Sequence, residues 1–256
     1  MNLLDWILGW KKPPPRPYEP PHQGELPSAI TLRSGGKAPI LTVSPELAWR
    51  DWQRRRSHVG RTGMWPLILG PDLHSDMAGL AEDDDESVAS LRKKAEQFNI
   101  DHWYRDQIEF TENDRLEDVE FDFETSSLKK GADREPDFIL TDRLAGAIYL
   151  CEIPCKNSWE VPLHRSFGGF NECPVDEVHS ALFKEWHQRH GAEVVGMSCD
   201  TVELYVPRPV HEPSDAKRLA QQMYAYCPDN VEQGFGTVGA LAQELLGAHS
   251  WSFFWE

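Results

Sequence analysis

The chain has 256 residues, 40% of them hydrophobic, and 42 acids against 26 Lys plus Arg give a formal net charge of −16. That apolar content suffices for a core, so wholesale disorder is excluded, and so acidic a surface repels phosphate backbones, which argues against nucleic-acid binding. No apolar run reaches the ~18–20 residues of a membrane span, so a soluble, cytoplasmic protein without a transmembrane segment is expected.

Met1–Lys12 is apolar, with Leu3, Trp6, Ile7 and Trp10 on one helical face at i, i+3, i+4 and i+7. Its charge order is wrong for a secretory signal, because Asp5 comes early and Lys11-Lys12 follow the apolar stretch. The stripe either docks on the chain's own core or frays, or it is offered to a partner or a membrane surface, although its polar face lacks the basic residues of a membrane binder. The stretch Pro13–Pro21 cannot continue a helix and predicts a stiff, Pro-rich N-terminal linker.

Ala29–Arg33 and Pro39–Val43 flank Ser34-Gly35-Gly36-Lys37, the pattern of a hairpin. Ser44 then serves as N-cap and Pro45 as first residue of a helix running to Arg56, with Leu47, Ala48, Trp49 and Trp52 inward. Arg54-Arg55-Arg56 suits the negative end of the helix dipole. Trp65–Leu69, closed by Gly70-Pro71, reads as a buried strand.

Two acidic bands follow. Glu82, Asp83, Asp84, Asp85 and Glu86 precede a helix expected over Ser87–Phe98, where negative charge favours the N-terminus. The second band spans Glu112–Glu124 and includes Glu117, Asp118, Glu120 and Asp122, with Val119, Phe121 and Phe123 alternating between acids. That alternation predicts a strand with one wet, acidic face. Phe138–Thr141 and Ala145–Ile153 read as two further strands joined by a turn.

Pro136-Asp137 followed by Glu152 invites comparison with a metal-dependent nuclease site. That chemistry needs a lysine two residues after the acid, and position 154 is proline, while Lys156 is out of register.

From Pro162 the texture changes. A glycine- and aromatic-rich loop spans Leu163–Asn171. A helix follows from Val175 to His190, with Val178, Leu182, Phe183 and Trp186 in one stripe and Gly191 as its stop. Ala192–Met197 and Val202–Val206 predict a hairpin. Ser214 opens a helix to Tyr226, Thr237 caps another containing Val238, Leu241, Ala242 and Leu245, and Trp251, Phe253 and Trp255 alternate in a last strand. The order is β-α-β-β-α-α-β, so the fold expected is α+β, a mixed sheet flanked by helices. Three parts are expected: residues 1–24 as apolar segment and linker, 25–144 as an N-terminal α/β part with acidic insertions, and 145–256 as a C-terminal α+β domain.

Tyr226-Cys227-Pro228-Asp229-Asn230, Gly234-Phe235-Gly236-Thr237 and the terminal Trp251-Ser252-Phe253-Phe254-Trp255-Glu256 resemble a bacterial family called domain of unknown function 4253. Gly191–Gly196 and Asp200–Leu204 fit it too, as does Thr62–Gly70. The resemblance is strongest over residues 168–256 and patchy over 47–70. It implies a folded domain and names no activity.

Five cysteines at 151, 155, 173, 199 and 227 form no disulfide framework or zinc-knuckle spacing. His179, His187 and His190 share a helix without converging on one point. No metal or cofactor is therefore expected. Cys173, just ahead of a helix N-terminus where a thiolate is stabilised, forms with His179, Asp200 and Asp229 the candidate nucleophilic set. Gly234, Gly236 and Thr237 enter a helix in a way that suits an anion, although turn and N-cap explain them better.

The favoured function is a non-enzymatic, acidic protein-interaction module of immunity or regulatory type that binds a basic protein through Glu82–Glu86 and Glu117, Asp118, Glu120 and Asp122. The alternative is a small hydrolase or transferase using the Cys/Asp/His set. A pocket that gathers those side chains favours the second.

Overall fold

The computed structural model describes residues 27–71, 86–114, 122–129, 131–141, 147–166 and 173–255. Residues 1–26, including the apolar stripe and the Pro-rich linker, and Glu82–Asp85 lie outside them, as do Glu117, Asp118 and Glu120. No helix among the described residues is long and apolar enough to cross a membrane.

A hairpin forms, but with Lys37–Pro39 and not Pro39–Val43 as its second strand: β1 (Ala29–Thr31) pairs antiparallel with β2 (Lys37–Pro39) around Gly35, whose φ of 76° is the left-handed value such a turn requires. The chain then leaves that small sheet for the main one through β3 (Leu41–Val43). The main sheet is completed by β4 (Trp65–Gly70), β5 (Ile148–Ile153), β6 (Glu193–Met197), β7 (Thr201–Tyr205) and β8 (Ser250–Phe254), in the order β3-β5-β4-β6-β7-β8. The β4–β6 pair is parallel and the others antiparallel, so the sheet is mixed and the fold α+β. β4 lies between β5 and β6, so one sheet draws on residues from both sides of position 144.

Burial on both faces explains why β4 and β6 read as continuous apolar runs rather than alternations. On one face lies α1 (Pro45–Arg56), where Trp52 donates its indole N–H to the Pro66 carbonyl at 3.0 Å and sits against Tyr205. On the other lie α6 (Asp176–His190) and α7 (Pro213–Tyr226): Trp186 stacks on Phe253 at 5.4 Å, and Tyr226 meets the same ring edge-on. The remaining helices are α2 (Val59–Thr62), α3 (Val88–Gln97), α4 (Ile100–Asp114), α5 (Val161–His164) and α8 (Val238–Leu245).

Local expectations hold where capping and periodicity agree. Ser87 accepts from the Ser90 N–H and Thr237 from the Ala240 N–H, while Gly191 ends α6 at φ 70°. Val178, Leu182, Phe183 and Trp186 are buried, as are Val238, Leu241, Ala242 and Leu245, and Trp251, Phe253 and Trp255.

Four further expectations need correction. Leu47 faces outward, because α1 turns Ala48 and Trp52 to the sheet. Phe138–Thr141 is no strand but ends in a single 3-10 turn at Ile139–Thr141, since the N–H groups of Ile139 and Leu140 both bond one carboxylate instead of a neighbouring strand. The acidic alternation from Glu112 is no strand where it is described. Residues 112–114 end α4, a helix the sequence reading lacked, and 122–124 lead into a 3-10 turn at Thr125–Ser127. Extending an existing helix adds one bond per residue fixed, whereas a strand needs a partner edge. Finally, α7 begins at Pro213 after Glu212, not with Ser214 as cap.

Candidate functional site

The start of α6 sets the geometry. The Val175 carbonyl accepts from the N–H groups of Val178 and His179, which fixes His179 on the buried side of the first turn. His179 is fully buried among rings, with Phe183, Tyr226 and Trp255 centred 5.5 to 5.8 Å away. Desolvation by these rings pushes its pKa down to about 3, so its imidazole is neutral at pH 7.

Both ring nitrogens are engaged. Nδ1 lies 2.6 Å from the Tyr226 hydroxyl, and Nε2 lies 3.5 Å from Cys173 Sγ. Tyr226 is itself buried, and burial raises its pKa well above the ordinary value, so it keeps its proton. Among the described residues that hydroxyl meets His179, and a buried O–H must donate. Tyr226 therefore donates to Nδ1, which leaves the second proton on Nε2, facing the Cys173 sulfur. An N–H aimed at sulfur favours the thiolate, and the N-terminal end of α6 adds potential of the same sign.

The opposite wall is the turn between β6 and β7. Asp200 accepts from the hydroxyls of Ser198 and Thr201, each at 2.9 Å, and Ser198 accepts from the Thr201 N–H. The Asp200 carbonyl accepts from the Trp255 N–H at 2.9 Å, which draws the end of β8 against the turn. Between the walls lies a tight surface cleft. It is lined by Cys173, His179, Ser198, Cys199, Asp200, Thr201, Val202 and Trp255.

Three of the four predicted nucleophilic-site residues thus meet. Asp229 is not among the cleft-lining residues and accepts instead from Gln233 at 3.3 Å. Its neighbours serve β8: Asn230 donates to the Ser252 carbonyl and accepts from the Phe254 N–H, while Cys227 donates to the Phe254 carbonyl. These bonds occupy backbone groups on the free edge of the terminal strand. Gly236 donates its N–H to the Val231 carbonyl, and the Thr237 hydroxyl accepts from the Ala240 N–H. Of the acidic bands, Glu86 pairs with Lys94 and Asp122 with Lys217. His187 donates Nδ1–H to Ala192, and no group of three or more metal-ligating side chains occurs among the described residues.

The sequence reading missed Tyr226 as the partner of His179, and Cys199 as a second thiol in the cleft. Tyr226 stood in a noted motif, but nothing local relates it to a histidine 47 positions earlier.

No curated protein matches the chain, and no solved structure does. The family model described as domain of unknown function (DUF4253) matches residues 149–256, from β5 to the end, so the similarity lies in the C-terminal part of the chain.

Proposed function

We propose that the chain is a cysteine-dependent hydrolase or transferase with Cys173 as nucleophile. The observation that carries this reading is the Cys173–His179–Tyr226 relay, 3.5 Å and 2.6 Å, opening on a cleft shared with Asp200. Tyr226 fixes the tautomer, and the neutral His179 donates through Nε2 to the sulfur. The thiolate then attacks an electrophilic carbon, the leaving group takes its proton from water, and the covalent intermediate passes to water or to a second acceptor. Packing of Cys151, Cys155 and Cys227 as buried thiols supports a reducing, cytoplasmic compartment.

Labelling by chloroacetamide, read by peptide mass spectrometry, tests the nucleophile. Cys173 should label at least tenfold faster than Cys199, and C173S should lose hydrolysis of an activated ester such as p-nitrophenyl acetate. Equal labelling rates at the two cysteines, or full esterase activity in C173S, would overturn the proposal.

The net charge of −16 supports a second reading, an acidic module of immunity or regulatory type that steers a basic protein. Glu82–Glu86 and Glu117–Asp122 are its contact bands. Neutralising several acids in one band should then slow association with a basic partner far more than it speeds dissociation, and less so at high salt. An association rate unchanged by the substitutions removes this reading.

A further inference from the structure

The cleft holds a second sulfur that nucleophilic transfer leaves unused. Cys173 lies at the entry to α6 and Cys199 in the β6–β7 turn, both half-buried and both lining the same cleft. The cleft is small, so two side chains that both line it lie close together, as a disulfide requires. The other three thiols do not compete. Cys151, Cys155 and Cys227 are buried, and desolvation raises each of their pKa values, to about 12 for Cys151.

We propose that Cys173 and Cys199 form a dithiol that small hydroperoxides oxidise, with Cys173 as the peroxide-reactive thiol and Cys199 as the resolving one. The Cys173 thiolate attacks one oxygen of ROOH. An S–O bond forms, the O–O bond breaks, and the alkoxide leaves as ROH after taking a proton from water. Sulfur is oxidised to the sulfenic acid, and the peroxide is reduced. Cys199 then attacks the sulfenic sulfur: the S–S bond forms, the S–O bond breaks, and hydroxide departs as water with the Cys199 proton. Overall, two thiols and ROOH give a disulfide, ROH and water. The disulfide ties the α6 entry to the β6–β7 turn and removes the nucleophile, so peroxide switches the site off until a dithiol reductant restores it.

This inference rests on the reading of Cys173 as a reactive thiol, and the test separates the two. Full-length protein treated with hydrogen peroxide should fall from five thiols to three and yield a peptide pair joined at Cys173 and Cys199. C199S should stop at a sulfenic acid on Cys173, trapped by dimedone in several-fold higher yield than in the unsubstituted protein. C173S should lose neither thiol nor gain a disulfide under the same treatment. Fast chloroacetamide labelling of Cys173 with no disulfide, or equal dimedone yield with and without Cys199, overturns the dithiol and leaves the nucleophile standing. Slow labelling of Cys173 overturns both.

Discussion

Glu203, fully buried on β7, holds Leu140 in place: the Leu140 N–H donates to its Oε2 at 3.0 Å, and the Ile139 N–H donates to its Oε1 at 2.5 Å. Ser252, opposite Glu203 on β8, donates its hydroxyl to the same carboxylate at 3.1 Å. Burial pushes the Glu203 pKa from 4.5 up to about 7, against these three donors, which lower it.

The sign of the resulting pH dependence follows. Between pH 4.5 and about 7 the folded chain keeps a proton on Glu203 that the unfolded chain has lost, so stability falls as pH rises through that window, by on the order of 3 kcal/mol. Glu203→Gln should be destabilised at every pH, because its amide faces backbone N–H groups, yet should lack this decline. Urea unfolding of both proteins at pH 5 and pH 8 measures it. His179, with its pKa depressed to about 3, makes stability fall as pH drops below 6.5, and it does so in both proteins. A parallel pH response in the two would refute the assignment to Glu203.

Leu140 reaches its place only because glycine faces it. A Cβ on Gly196 would lie 2.7 Å from Leu140 Cδ1 and 2.9 Å from the Ile68 carbonyl oxygen. Gly196→Ala should cost about 1–3 kcal/mol, the usual cost of overpacking, and lower the thermal midpoint. An unshifted midpoint would mean that the 139–141 turn moves freely.

Tyr226→Phe separates packing from hydrogen bonding. The ring contacts with Trp186, Phe253 and Trp255 remain, while Nδ1 of His179 loses its donor. Stability should fall by about 1–3 kcal/mol, the cost of an orphaned buried polar atom. Chloroacetamide labelling of Cys173 should slow several-fold, since nothing then holds the proton on Nε2. Unchanged labelling would show that the tautomer has no bearing on the thiol.

Arg33 in the β1–β2 turn forms a buried ion pair with Asp176 in the first turn of α6, and Ser166 donates its hydroxyl to the same carboxylate at 2.6 Å. Arg33→Ala removes the cation from a carboxylate that is only 7% exposed, so a loss of about 3–5 kcal/mol is expected in chemical denaturation. The pair ties a residue outside the family-matched segment to the helix that carries His179. A loss below about 1 kcal/mol would mean that the hairpin is dispensable to that helix.

The features legible in the sequence are those whose cause is local. The α6 stripe, the β8 alternation of Trp251, Phe253 and Trp255, the Ser87 and Thr237 caps and the Gly191 stop each depend on periodicity or on one residue's backbone preference. The resemblance over the C-terminal part was likewise carried by contiguous motifs. Tertiary structure decided what depends on distant partners. An alternating run from Glu112 suits a strand, but it begins as the last turn of α4. Leu140 looks like a strand residue until Glu203, 63 positions later, takes its N–H. The insertion of β4 between β5 and β6 has no local signal, because neighbouring strands are chosen by which apolar faces the whole chain covers. The site divides the same way. Cys173 and His179 were candidates by spacing along a helix entry, but the Tyr226 proton that sets the imidazole and the Cys199 sulfur across the cleft are brought in only by folding.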